Sequence, residues 1–552
     1  MMRRALPTLL FLFFCVTLLH WYAGTFHSEF GRYQDEGMHY ITGLLVHDFI
    51  ASGHWTHPMA FAKEYYVHFP KVGLGQWPPL FYVIQTAWTL VFGVSRQSVL
   101  FLMVVLTAIL AFLVYRDAEP LWGKFFALLA ALLLIAAPLT QAHTAMVMAE
   151  IPLAIFSFLA VLAWIRLLER GQGRDAFWFA AWTTAALMTK GNAWAILPVV
   201  PVTILLTRRF EVLRNRNFWW AVGAVLLISV PYNWFTLRIT SQGWDTVSLP
   251  GFNYLALSLA KHIGFVIGIL GLPLSCLAAA GVVDRAILPL LRRKSSIYWI
   301  VMAAYGAGII VFHTLVPTSI EPRKVYQIVP VVCLFVIAGA DTVARRLSPR
   351  FSDSAVRLGL AAAIVLIFFS TSFHLLRPFV PGFSTAVEML IARPDTRGAA
   401  ILISSNPYMQ DAEAAIISEW ASRERKAGTY LVRATKLLDR PARNENGDAD
   451  YELIYRSDED MLRALDNVPI SYIILHTTTT SRPYHHHAIM QRLLAGHPEE
   501  WEKIYESRRV LEHPHLVEIY RCRRDLNGVP VHFTVDLSRK IGSSLDSDSE
   551  MK

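Results

Sequence analysis

The chain has 552 residues, 54% of them hydrophobic and 17% charged, with a mean hydropathy of +0.39. A soluble domain carries roughly 25% charged residues, so these values exclude a disordered chain, a disulfide scaffold and an ordinary soluble enzyme. The net charge of +9 would suggest nucleic acid in a soluble protein, but in a membrane protein the placement of the basic residues matters more than their sum.

The first apolar run, about Ala5 to Ala23, follows Met1-Met-Arg-Arg and reads as a retained membrane helix rather than a cleaved signal peptide. Ten further runs cover roughly 98–115, 124–139, 150–168, 176–189, 192–206, 218–236, 262–281, 297–313, 325–341 and 356–374, which makes eleven candidate spans. Three of the four cysteines (Cys15, Cys276 and Cys333) fall inside these runs, so no disulfide framework is expected. The run Pro78 to Phe92 contains Gln85 and Trp88 and ends at Gly93. It reads as an interfacial helix at the membrane surface, not as a span.

Loop charge orients the chain. With the N-terminus inside, the inside loops collect Arg166, Arg170 and Arg174, then Arg208, Arg209, Arg214 and Arg216, then Arg292, Arg293 and Lys294, and finally Arg345, Arg346 and Arg350. The outside loops hold few basic residues for their length. This asymmetry predicts eleven spans and an outside C-terminus.

Composition changes near Arg377. Ala399–Ser405 reads as a buried strand, Asp411–Lys426 as a helix, Ser471–His476 as a second strand, and 487–494 as a helix. Val517–Arg521 reads as an edge or half-buried strand. The expected fold class is therefore an α-helical polytopic membrane protein with a C-terminal extracytoplasmic α/β domain. Residues 1–375 form the transmembrane part with a long outer loop at 24–97, 376–540 the α/β domain, and 541–552 a disordered tail.

Several polar groups gather on the outside face. The first loop holds Asp35 and Glu36 between Tyr33 and Tyr40; adjacent carboxylates also suit the solvated first turn of a helix. Glu150 starts a span, where an ionisable residue is costly and marks a candidate site, although a helix N-terminus also favours a carboxylate. Lys190 lies in an outer turn and suits an anionic group, or a snorkelling side chain. Arg323 and Lys324, backed by Tyr326, form a possible phosphate clamp, or a pair of solvated loop cations. Together these residues suggest chemistry on a phosphate-bearing lipid: a carboxylate to take a proton from an acceptor hydroxyl, and cations to stabilise a phosphate leaving group. His485-His486-His487 reads as a surface polar run rather than a metal site.

These residues resemble the GT-C membrane glycosyltransferases, and among them the bacterial relatives of protein O-mannosyltransferases and of the lipid A aminoarabinose transferase. The resemblance covers about residues 1–375 and rests on Tyr33-Gln-Asp35-Glu36-Gly37, Pro78-Pro79-Leu80-Phe81-Tyr82, Glu150-Ile-Pro152-Leu153, Thr189-Lys190-Gly191 and the segment Arg323 to Pro330. It implies a multi-span helical core with surface helices in the first loop, a polyprenyl-phosphate-linked sugar as donor, and inverting transfer outside the cytoplasm. It further implies Asp35 as the principal catalytic carboxylate, Glu36 as its support, Glu150 as a second acidic residue of the site, and a phosphate role for Arg323, Lys324 and Tyr326. Gln76 and Trp77 stand where the aminoarabinose branch has an acidic–basic pair, so that either Lys71 or Lys190 supplies the phosphate-binding cation or the donor differs. Glu150 is one methylene longer than the family's usual Asp.

The expected function is transfer of a sugar from this donor to a glycolipid, polysaccharide or protein acceptor, at a bacterial inner membrane. No motif calls for a cofactor, and a divalent metal is compatible with the carboxylates without being required. The alternative is a transporter or flippase of a lipid-linked sugar. Transporters tend to show internal repeats and midplane polar sites; this chain shows no evident repeat and groups its polar residues at one face. A membrane scaffold would leave Asp35, Glu36, Glu150 and Lys190 unexplained.

Overall fold

The computed structural model describes residues 2–53, 55–240, 251–294, 296–316, 319–405, 412–426, 428–443, 449–455, 457–478, 485–507, 515–526, 528–537 and 543–547. Helix α1 (Met2–Tyr22) is followed by the first loop with α2 (Glu36–Ser52), α3 (Pro58–His68) and α4 (Leu80–Phe92). Next come α5 (Arg96–Ala136), α6 (Pro138–Thr144), α7 (Glu150–Arg170), α8 (Gly173–Leu187), α9 (Val199–Thr207), α10 (Arg216–Thr240) and α11 (Phe252–Leu270). Helices α12 (Leu272–Val282) and α13 (Leu288–Leu291) are joined by a π turn, and α14 (Ile297–Leu315), α15 (Val329–Leu347) and α16 (Asp353–Thr371) complete the apolar part. The remainder holds α17 (Phe383–Ile391), β1 (Ala400–Ser405), α18 (Ala412–Arg423), β2 (Tyr430–Arg433), α19 (Ala434–Leu437), β3 (Asp439–Arg443) and β4 (Ala449–Leu453). It ends with α20 (Asp458–Asn467), β5 (Ile470–Thr478), α21 (His485–Gly496), β6 (Trp501–Glu506), β7 (His515–Cys522), β8 (Thr534–Leu537) and β9 (Ser543–Asp546).

The chain divides into two compact units. One comprises 1–25, 75–81 and 100–377; the other comprises 26–74, 82–99 and 378–552. Much of the first loop thus packs with the C-terminal third.

Among the described residues, eight helical stretches are long and apolar enough to cross a membrane. α5 contains two of the expected runs, broken at Gly123, whose φ of +78° suits glycine where the helix breaks. The run expected at 262–281 is divided differently. α11 ends at Leu270, Gly271 turns the chain at φ +81°, and the next apolar stretch is Leu272–Leu291. Hydrogen bonds place Ser258, in the second turn of α11, and Leu270, its last residue, on one face. Ser258 Oγ donates to the carbonyl of His313 in the last turn of α14 (3.4 Å), and Ser372 Oγ, just beyond α16, donates to the carbonyl of Leu270 (2.8 Å). α14 and α16 each start beside an arginine-rich segment and are 19 residues long, so their far ends lie about 28 Å away on the opposite face. α11 therefore runs along that opposite face, and Leu272–Leu291 makes the crossing back to Arg292-Arg293-Lys294.

Small residues set the closest helix packing. A Cβ on Gly339 of α15 would lie 2.0 Å from the Leu277 carbonyl of α12, and one on Gly281 would lie 2.3 Å from the Phe335 carbonyl. Glycine permits this approach, as is usual between membrane helices.

In the second unit, five strands form a sheet in the order β2-β1-β5-β7-β6. β2, β1 and β5 run parallel, and β7 pairs antiparallel with both β5 and β6. β1 is buried along its whole length, as its apolar sequence requires. Leu402, Ile473, Leu475, Met490, Leu493 and Trp501 lie in its core. Three expectations change here. β7, expected as an edge or half-buried strand, lies inside the sheet because β6 covers its other side. His486 and His487 are fully buried at the start of α21, where His486 Nδ1 bonds the Asp439 carboxylate and His487 Nδ1 lies 2.8 Å from Ser404 Oγ. Ser543–Asp546, expected to be unstructured, pairs with β8, while 548–552 lies outside the described residues.

The first loop is anchored within the same unit. Glu29 Oε2 accepts backbone N–H bonds from Gly382 and Phe383 at 3.0 and 2.6 Å, and Glu419 Oε1 accepts from the Phe30 N–H. Burial and the neighbouring Glu419 carboxylate push the Glu29 pKa up to about 7. A Cβ on Gly37 would meet the Ala414 carbonyl at 2.6 Å, so α2 lies directly on α18. α4 turns its polar side to α2, with Tyr82 OH 2.8 Å from His39 Nδ1 and Thr89 Oγ1 2.9 Å from His47 Nδ1. Its other side exposes Val83, Leu90, Val91 and Phe92. An apolar exposed face on a 13-residue helix suits a membrane interface better than a crossing.

Candidate active site

Two clusters hold the residues singled out by the sequence, one in each unit. The first starts from Glu150. Ala149 ends a non-helical segment and Glu150 opens α7, so its carboxylate sits at the positive end of the helix dipole. Lys190 follows α8 in extended backbone, held there because Thr189 Oγ1 donates to the Ala185 carbonyl at 2.7 Å. Lys190 Nζ reaches Glu150 Oε1, and the two side chains are 8% and 1% exposed. The pair settles both open readings: Lys190 does not snorkel, and Glu150 is more than a solvated helix start. Glu150 Oε2 has no hydrogen-bond partner among the described residues.

The segment Pro322–Ile328 is a 3-10 turn. Gln327 pins it, because Ser157 Oγ donates to Gln327 Oε1 at 3.1 Å and Gln327 Nε2 donates to the Asn192 carbonyl at 3.4 Å. The turn places Arg323 against Glu321, with Nε 2.5 Å from Oε2, and it buries Lys324 and Tyr326. These are not solvated loop cations. Tyr326 meets the His143 ring edge-on at 4.9 Å. Burial pushes the His143 pKa down to about 4, Lys190 and Arg323 also oppose its protonation, and Glu150 favours it. His143 is therefore a neutral imidazole near pH 7.

The Pro-Pro-Leu segment joins this cluster through the backbone. Leu80 N–H donates to the Met188 carbonyl at 2.9 Å, and Tyr232 OH donates to the Trp77 carbonyl at 3.4 Å. Two motifs separated by about a hundred residues thus meet at one turn. Pro78 and Pro79 restrict the backbone that makes the junction.

The second cluster surrounds Asp35 and Glu36. Asp35 precedes α2 and is half-buried. Glu36 is fully buried and faces inward. Its Oε2 accepts the N–H groups of Gly31 and Arg32, both at 3.2 Å, and its Oε1 lies 3.6 Å from Arg96. Arg96 in turn donates to the Ser28 carbonyl and covers the Phe30 ring at 5.0 Å. Glu36 thus closes the loop that presents Asp35. Lys71 is also in this unit and buried, and its charge acts on Glu413, which pairs with Arg433 at 2.7 Å. Lys190, not Lys71, lies in the Glu150 cluster. Among the described residues, the grouping with metal-ligand spacing is His497, Glu499 and Glu500 in the C-terminal part, and it includes none of the site residues.

His143 and Gln327 were not singled out from the sequence. Gln327 lies four residues after Arg323, within a segment already marked, but its role depends on Ser157 and Asn192. His143 lies seven residues before Glu150, and no local pattern shows that its ring meets Tyr326.

A bundle of apolar helices with these polar residues at helix ends, followed in sequence by an α/β domain, is the architecture of a polytopic membrane protein. Residues 76–235 match the family model described as dolichyl-phosphate-mannose-protein mannosyltransferase. The fold is similar to ArnT from Cupriavidus metallidurans in the apo state, with a TM-score of 0.54 and 14% identity over 92% of this chain and 97% of that one. ArnT bound to undecaprenyl phosphate gives a TM-score of 0.55 at the same identity and coverage. The archaeal oligosaccharyltransferase AglB from Archaeoglobus fulgidus, in complex with an inhibitory peptide and a dolichol-phosphate, matches with a TM-score of 0.52 and 11% identity over 85% of this chain and 69% of that one. No curated protein matches the sequence.

Proposed function

We propose that the protein is an integral-membrane glycosyltransferase that moves a sugar from a polyprenyl-phosphate carrier to an acceptor hydroxyl outside the cytoplasm. The observation that carries this reading is the buried Glu150–Lys190 pair, with Lys324 and Arg323 in the same unit. Buried cations at a helix-end cluster are suited to a lipid-linked phosphate. The ArnT and AglB structures support it, since both were solved with a polyprenyl-type phosphate bound.

In the proposed reaction the acceptor hydroxyl attacks the anomeric carbon, and Asp35 takes the hydroxyl proton. The bond from that carbon to the phosphate oxygen breaks, and the phosphate leaves on its lipid carrier. Lys190, Lys324 and Arg323 stabilise the charge that develops on the phosphate. Glu150 holds Lys190 in place, and Tyr326 and His143 form the neutral wall behind it. Glu36 positions Asp35 through the loop it closes. The acceptor is a glycolipid, a polysaccharide or a protein.

The test is transfer of radiolabel from polyprenyl-phosphate sugars in membranes carrying the wild type or Asp35→Asn. The expected result is a loss of at least about a hundredfold in the variant. Full transfer by Asp35→Asn would remove this carboxylate from the mechanism.

A further inference from the structure

Two histidines in the first unit have no role in the proposal so far. His262 lies on α11 and His313 in the last turn of α14. Their rings stack at 5.9 Å with 24° between planes, and they are 1% and 2% exposed. Ser258 ties the two helices together here, because its hydroxyl donates to the His313 carbonyl.

Hydrogen bonding fixes the tautomer of His262. Its Nδ1 lies 2.8 Å from the Ser258 carbonyl oxygen. A carbonyl only accepts, so Nδ1 carries the proton, and the neutral ring has a bare lone pair at Nε2. Among the described residues Nε2 has no hydrogen-bond partner, and neither ring nitrogen of His313 has one. The stack therefore offers an acceptor at His262, and one donor and one acceptor at His313. Burying such groups unpaired is costly, and native structures rarely do so without a ligand or water.

The surrounding charge narrows the ligand. The charges of Lys324 and Lys190 both act on His313, and that of Lys324 also acts on His262. The lysines already supply what an anion needs. An ionised phosphate oxygen only accepts, so it cannot pair with the bare Nε2 of His262. A sugar hydroxyl can, because it donates through its proton and accepts through its lone pairs.

We propose that His262 and His313 bind a hydroxyl of the carrier-linked sugar and so determine which sugar is accepted. This deepens the glycosyltransferase reading and rests on it. A site built to pair with a hydroxyl discriminates strongly against a ligand lacking it, because its own buried groups are then left unpaired.

The test measures binding by the purified full chain in detergent. The probes are undecaprenyl phosphate alone and undecaprenyl-phosphate mannose, glucose, galactose and arabinose. The wild type is expected to bind one sugar-bearing carrier about tenfold or more tightly than the bare carrier. His262→Phe and His313→Phe keep the stack but are expected to lose this preference, with bare-carrier affinity within about twofold of wild type. His313→Gln, which restores a donor and an acceptor, is expected to recover part of it; it also serves if the Phe variants fail to fold. Retention of the full preference in both Phe variants would overturn the proposal, as would equal binding of all five probes by the wild type. If the wild type binds none of the probes, the donor reading itself falls, and this inference with it.

Discussion

At the scale of residues, the Glu150–Lys190 pair matters most. Each charge is buried, so each depends on the other. Removing one partner of such a pair leaves an uncompensated charge and costs roughly 3–5 kcal/mol, whereas replacing both is close to neutral. Glu150→Gln and Lys190→Met should each lower the melting temperature in detergent, and the double variant should recover most of that loss. Transfer should be absent in all three. A double variant no more stable than the singles would show that the pair is not the cause. Each residue stands out in the sequence, Glu150 as an ionisable group at the start of a span and Lys190 as a lone cation in an outer turn. Their pairing does not, because it joins positions 40 apart through two helices. Glu36 shows the reverse. Beside Asp35 it looks like a second reactive carboxylate, but its oxygens are occupied by the Gly31 and Arg32 amides and by Arg96. His143, His262 and His313 were hidden for a similar reason. A single histidine in or beside a helix is unremarkable until its neighbours are known.

At the scale of elements, the apolar runs were legible because membrane helices need long stretches without charge. The break at Gly271 was not, since hydropathy continues unchanged across it and only the hydrogen bonds of Ser258 and Ser372 show that α11 turns along the face. β7 read as an edge or half-buried strand for an equally local reason: strand polarity cannot reveal that β6 will cover it. Helix packing in the apolar part depends on glycine. Gly339→Ala would push a methyl group into the Leu277 carbonyl, so α12 and α15 must separate. The expected cost is about 1–3 kcal/mol, read as a lower melting temperature in detergent. Gly359→Ala on α16 is the control, since its Cβ meets nothing within 4 Å. Equal melting temperatures for the two variants would mean that the α12–α15 approach is not tight.

At the scale of the whole molecule, the arginine-rich loops predict the orientation of the chain, and α11 provides a sharp check. With the four native cysteines replaced by serine, Asn253→Cys and Leu272→Cys flank α11. Both should react with a membrane-impermeant thiol reagent from the outer side, and Lys294→Cys should react only from the cytoplasmic side. Labelling of Asn253→Cys and Leu272→Cys from opposite sides would make α11 a crossing helix and reverse the sidedness of one flank of the chain. The general architecture was legible from composition alone, because 54% hydrophobic residues distributed in runs leave few alternatives. The union of the first loop with the last third was not. It depends on Glu29, Gly37 and their distant partners, and no local pattern predicts contacts over more than 300 residues.

That union imposes an order on biosynthesis. Residues 26–74 and 82–99 find their partners in 378–552, and the whole stretch 100–377 is made in between. At about 5–20 residues per second, the loop bearing Asp35 waits roughly tens of seconds for the segment that supports it. During that interval Glu29 and the Phe30 amide lack Gly382, Phe383 and Glu419, while the apolar helices can already insert. The loop bearing Asp35 therefore takes its final form after the apolar helices, and on the proposed function a nascent chain gains activity only once its last third has been made.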